Sequence, residues 1–184
     1  MRCQTCGVSA EEPWVEVVPH DGRWAESYRA EAAAIGTALG DYVSGIEHFG
    51  STAVAGLIAK PIVDVLVGAQ PPGSELHAAI DGLAGLGYEY LGEDGRRPGR
   101  YFWRKRGFPD FNVSAVPYLG ALWESNLAVR DFLRTHPEWV ERYGQVKLDA
   151  AAVSGTSMLG YQNHKRDFVD ELRAAALAWA AKPN

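Results

Sequence analysis

One stretch of this chain constrains the fold more than any other. Residues 46–57 read Ile-Glu-His-Phe-Gly-Ser-Thr-Ala-Val-Ala-Gly-Leu. They lead directly into Ile58-Ala59-Lys60-Pro61-Ile62-Val63-Asp64-Val65-Leu66-Val67. The first half describes a strand that stops at Gly50-Ser51, where small side chains let an anion approach the backbone. Thr52 to Leu57 has the composition to start a short helix whose N-terminal amides face that anion. The second half is a nearly continuous apolar strand, Pro61 to Gly68, carrying one carboxylate, Asp64. A buried carboxylate is costly unless a cation or a set of donors compensates it. Lys60 is one compensator on offer, and a magnesium ion is another.

The rest of the chain arranges itself around that stretch. Trp14 to Val18 alternates and is β-rich. From Gly22 to Leu39, Trp24, Tyr28, Ala32, Ile35 and Leu39 recur at helical spacing behind Asp21, a capping residue type. Val43 to Phe49 is the next strand. Pro71-Pro72-Gly73 breaks the chain before a helix with Leu76, Ile80, Leu83 and Leu86. Three further strands follow at Tyr88–Leu91, Tyr101–Arg106 and Phe111–Val116, with a Gly/Arg/Pro loop over 92–99. Beyond Tyr118 the pattern is helical: Ser125–Thr135, Pro137–Ala152 and Ser157–Ala181. The expected architecture is α+β, a small mixed β-sheet with flanking helices and a helical C-terminal third, not a βαβ array. The expected domain organisation is a flexible segment over residues 1–13 and a single domain over 14–184.

Composition narrows the function classes. A formal charge of −5 on 184 residues opposes broad binding to nucleic acid or anionic membranes, which needs a positive surface. No apolar run approaches the roughly 20 residues that cross a bilayer. The N-terminus has no apolar signal region, so the expected compartment is the cytoplasm. Cys3 and Cys6 are the only cysteines. A zinc site needs a second ligand pair that no other cysteine supplies, and no metal is assigned there. Nothing in the sequence fixes the number of copies in an assembly.

Residues 47–67 resemble the signature of the GrpB-like branch of the nucleotidyltransferase superfamily, whose pattern is Gly-Ser, a gap, then a strand bearing aspartate. The resemblance extends to residues 15–35, to 129–147, and to the later Tyr161 with Lys165, so it covers roughly 14 to 172. It implies a polymerase-β-like core with a nucleoside triphosphate and Mg²⁺ held between the sheet and the C-terminal helices. Gly50, Ser51 and Thr52 are then phosphate contacts, and Asp64 is a catalytic metal ligand. Two departures stand out. The superfamily places a second acid two residues after the first, where this chain has Leu66. The neighbouring strand offers Asn112 and Ser114 in place of a third acid, so that Asp110 or Glu47 must complete the site or the chemistry has changed.

Other residues carry paired readings. Arg96, Arg97, Arg100, Arg104, Lys105 and Arg106 form a basic cluster. Arg104 and Arg106 share a strand face and read either as an anion clamp or as a charged edge. Arg130 with Arg134, Tyr143 with Lys147, and Tyr161 with Lys165 are each one helical turn apart. They read as surface pairs, and the resemblance promotes Arg130, Lys147, Tyr161 and Lys165 to ligand contacts. His48 stands two residues before the loop, as a catalytic group beside Lys60 or as a satisfied structural histidine. The leading functional expectation is Mg²⁺-dependent binding of a nucleotide or other phosphate-bearing ligand, with transfer to a small-molecule acceptor. The alternatives are a repurposed biosynthetic enzyme that forms a different bond or ring, and a non-catalytic binding module.

Overall fold

The structure, a computed structural model, describes residues 16–69, 75–95, 97–155 and 157–182. The segment 1–13 with its two cysteines, Trp14 and Arg96 lie outside the described residues.

Helix α1 (Arg23–Leu39) buries Trp24, Ile35 and Leu39 from the stripe its spacing lays down. Asp21 Oδ1 accepts from the Arg23 amide at 2.9 Å, while Gly22 holds the cap position. Strands β1 (Val43–Phe49) and β2 (Ile62–Ala69) follow, then α2 (Glu75–Gly85). Strands β3 (Glu89–Glu93), β4 (Tyr101–Lys105) and β5 (Asp110–Pro117) complete the sheet. Its order is β1-β2-β5-β4-β3. The β2–β5 pair is parallel and the other neighbours are antiparallel, so the sheet is mixed and the fold is α+β. Upstream of α1, Val18 bridges Ala59, joining the start of the described chain to the segment before β2.

Alternation along the central strands gives the sheet two different faces. Val63, Val65, Val67, Val113, Ala115 and Trp103 point one way into the main core with Ile35, Leu39, Ala79 and Leu83 from α1 and α2. Asp64, Leu66, Asn112 and Ser114 point the other way. In the upper part of that face Leu66 packs with Val116 and Trp123. The lower part, where Asp64 and Asn112 stand, is left for the site.

The C-terminal third covers this second face with α3 (Ala121–Thr135), α4 (Pro137–Ser154), α5 (Met158–His164) and α6 (Arg166–Ala180). The single helix expected over 157–181 is two. Lys165 leaves the helical region at φ −99°, ψ 2° and caps one helix while starting the next. Ser157 caps α5 by accepting from the Gly160 amide. Val54 and Leu57, from the loop between β1 and β2, are buried among Phe132, Leu133, Tyr143, Leu172 and Ala176. That apolar contact fixes the helices over the Gly-Ser loop.

Candidate functional site

The loop after β1 is tighter than its sequence suggests. Gly50 has φ 70° and ψ −166°, and only one 3₁₀ turn, Ser51–Ala53, follows before Val54 returns to extended backbone. The amides of Ala53 and Val54 are spent inside the turn, on the carbonyls of Gly50 and Ser51. A single 3₁₀ turn thus stands where the sequence suggests a short helix, and the charges around it come from side chains.

Those side chains converge from separate elements on a cleft of about 140 Å³. It is lined by Ser51, Thr52, Lys60, Asp64, Asn112, Lys147, Tyr161 and Lys165, together with Ala59 and Ile62. Asp64 and Asn112 are register partners on the parallel strand pair, and Asn112 Nδ2 donates to Asp64 Oδ1 at 3.0 Å. Lys147 reaches in from α4, only 1% exposed. It donates to Ser51 Oγ at 2.6 Å and to the Ile58 carbonyl at 2.7 Å, and its ammonium lies 4.3 Å from the Tyr143 ring. Lys60, just before β2, donates to Met158 Sδ at 3.2 Å. Lys60 and Lys165 both approach the buried Tyr161 ring, at 5.7 and 4.6 Å.

The electrostatics of the cleft are one-sided. Burial lowers the pKa values of Lys60 and Lys165, with like charge from Lys165 adding to the effect on Lys60 and the Asp64 carboxylate opposing it on both. Lys147 is driven well below the ordinary lysine range by burial, and then by Lys165 and Lys60. Burial pushes Asp64 the other way, upward, against the Asn112 hydrogen bond and the charges of Lys60, Arg100 and Lys165. Burial also lifts the Tyr143 hydroxyl, a hydrogen-bond partner of Ser51, to about 12. Three lysines thus crowd one carboxylate in poorly solvated surroundings, an arrangement that an incoming anion relieves.

Of the residues singled out in the sequence, Gly50, Ser51, Thr52, Lys60, Asp64, Asn112, Lys147, Tyr161 and Lys165 come together at this cleft. His48, Arg104, Arg106 and Arg130 do not. His48 faces away from it, stacked on Tyr28 with ring centres 4.7 Å apart, and its Nε2 is 3.0 Å from Thr52 Oγ1. It supports the loop from behind. Arg104 pairs with Glu89 at 2.8 Å on the outer strands. Arg106 pairs with Asp110 at 2.9 Å. Arg130 is committed to Asp131, to Glu47 at 2.6 Å and to the His48 carbonyl, tying α3 to β1. Glu47 and Asp110, the alternative candidates for a further acid at the site, are used in ion pairs with Arg130 and Arg106. Arg104 and Arg106, read from the sequence as an anion clamp or a charged edge, each stand in a surface ion pair.

Within the basic cluster, Arg100 is the member whose charge bears on Asp64. Its Nε and Nη2 donate to Ser114 Oγ at 3.1 and 2.8 Å, and its Nη1 pairs with Asp94 at 2.9 Å. The signal was parity. Arg100, Phe102 and Arg104 alternate onto the face that carries Asn112 and Ser114.

A mixed five-stranded sheet, a Gly-Ser loop and an aspartate on the adjoining strand, covered by C-terminal helices, define the class of α+β fold. Within that class the chain belongs to the GrpB family, whose profile, described as GrpB protein, matches residues 14–175. UPF0157 protein PA4798 of Pseudomonas aeruginosa is 36% identical over 95% of this chain and 73% of its own length. The crystal structure of conserved protein GrpB from Enterococcus faecalis superposes with a TM-score of 0.82 at 29% identity, covering 91% of this chain and all of that one. A remote match is terminal uridylyl transferase 4 from Trypanosoma brucei with bound dUTP, at TM-score 0.47 and 16% identity over 79% of this chain and 52% of that one. Among the described residues no helix is long and apolar enough to cross a membrane.

The donors around Asp64 do not fit a magnesium centre of the two-ion kind. Mg²⁺ demands near-octahedral oxygen ligands at about 2.0–2.1 Å, and the cleft offers one carboxylate, with one oxygen bonded to an amide, among three ammonium groups. Among the described residues no group of three or more His, Cys, Asp or Glu side chains is placed to hold a metal.

Proposed function

We propose that the cleft binds the phosphate groups of a nucleotide or a phosphorylated metabolite and positions them for transfer to a small-molecule acceptor. The observation that carries this reading is the convergence of Lys60, Lys147 and Lys165, from three separate elements, around one carboxylate and the Gly50-Ser51 turn. Buried ammonium groups without matching anions are unfavourable in the free protein. A bound phosphate supplies the missing negative charge through short, charge-assisted hydrogen bonds.

In the transfer step, an acceptor oxygen or nitrogen bonds to the phosphorus beside the leaving group as the bond to that group breaks. The acceptor's proton passes to the Asp64 carboxylate. The raised pKa of Asp64 makes it a better base than an exposed carboxylate. Lys60 and Lys165 face the charge that develops on the leaving phosphate.

Calorimetry and thermal unfolding with pyrophosphate, ATP and UTP test the reading. Binding is expected, and a ligand at about 100 times its Kd raises stability by about 2.7 kcal/mol. Lys165→Ala is expected to weaken binding about tenfold. Absence of binding by every one of these compounds at millimolar concentration overturns the proposal.

A further inference from the structure

Building on the phosphate-binding reading, we infer that this cleft neutralises its ligand with protein cations in place of divalent metal, so that it takes the metal-free polyphosphate group. The strand positions from which a second carboxylate could join Asp64 hold other groups. Leu66, two residues along the same strand face, is fully buried under Val116 and Trp123. Asn112 turns its amide nitrogen, a donor, toward Asp64. Ser114, the next residue on that face of β5, has its hydroxyl held by two nitrogens of Arg100. A cation thus adjoins the strand position from which a carboxylate would bind metal.

Asp64 itself has little freedom to turn. Its Oδ2 lies so close to Gly50 that a Cβ on the glycine would stand 2.6 Å from it. Its charged neighbours are Lys60, Arg100 and Lys165, with Lys147 beyond them on Ser51. A divalent ion entering here meets Lys60 and Lys165 around the Asp64 carboxylate, with Arg100 close by on Asp94, and repulsion between like charges grows as water is excluded. A polyphosphate meets the reverse. Ammonium groups at fixed positions supply the charge compensation that paired metal ions give elsewhere.

The experiment measures binding of tripolyphosphate and ATP by calorimetry, once in EDTA and once with Mg²⁺ in excess over the ligand. The expected result is binding in EDTA that excess Mg²⁺ fails to strengthen, since complexed phosphate carries less charge. Lys165→Met is expected to lose about tenfold in EDTA. Binding that strengthens when Mg²⁺ is present overturns this inference and leaves the phosphate-binding reading standing. Binding in neither condition overturns both. Unchanged affinity in Lys165→Met removes the lysine set as the neutralising group and overturns the inference as well.

Discussion

A glycine and a carboxylate share one contact at the floor of the cleft. Gly50 sits at φ 70°, ψ −166°, a region open almost only to glycine, and a Cβ there would press on Asp64 Oδ2 at 2.6 Å and Cβ at 3.2 Å. Gly50→Ala is therefore expected to cost about 1–3 kcal/mol of stability and to weaken phosphate binding as well, because Asp64 must move. Unfolding and calorimetry on the same protein read the two effects, and an unaltered melting temperature counts against the steric account. His48 offers a residue-scale test in pH. Burial first, then the charges of Arg134 and Arg130, lower its pKa from 6.5 to about 4. The unfolded chain takes up this proton below about 6.5 while the native state resists down to about 4, so stability falls as pH drops through that window. The histidine contribution to that loss is about 2 kcal/mol between pH 7 and pH 5. Urea midpoints at the two pH values check it. His48→Gln is expected to lose measurably less than wild type over the same interval.

At the scale of elements, the seat of α3 on the sheet depends on missing side chains. Gly45 on β1 and Gly68 on β2 are register partners, and a Cβ on Gly68 would stand 2.5 Å from Tyr118 and 2.8 Å from Trp123. Gly68→Ala is expected to cost about 1–3 kcal/mol by overpacking. Phosphate affinity should persist, since Gly68 lies about 13 Å along the strand from Asp64. That is the opposite partition from Gly50→Ala, and equal losses of affinity in the two variants contradict it. Leu66→Asp places a carboxylate beneath Val116 and Trp123. It is expected to lose more than about 3 kcal/mol, measured by denaturant unfolding, before any metal affinity appears. Strand and helix positions were legible because alternation and helical periodicity report burial directly. The break at Lys165 was not, since its residue has no propensity that distinguishes it from a helix interior.

The whole molecule separates two charge patterns that composition averages together. The chain is acidic overall, at −5, while its cleft collects Lys60, Lys147 and Lys165. The Gly50-Ser51 to Asp64 spacing was readable from sequence because it lies within one hairpin-like segment. The fates of Arg104 and Arg130 were not, because each is decided by an ion pair with a residue distant in sequence, Glu89 or Glu47. Strand parity puts Arg100 on the site's face, while its hydrogen bond to Ser114 joins two strands and has no mark in the sequence. The assembled cleft also has a consequence for specificity. Its one aromatic lining residue, Tyr161, is 1% exposed and flanked by Lys60 and Lys165, so it presents no open face on which a base can stack. Base stacking is worth about 1–3 kcal/mol where such a face exists. Recognition here therefore rests on phosphate, and ATP, GTP, CTP and UTP are expected to bind within about threefold of one another, with affinity falling as salt rises. Calorimetric titration of the four triphosphates at two ionic strengths reads both features. One triphosphate binding about tenfold tighter than the others, with little salt dependence, would show that a base-reading surface dominates and that the lysines are secondary.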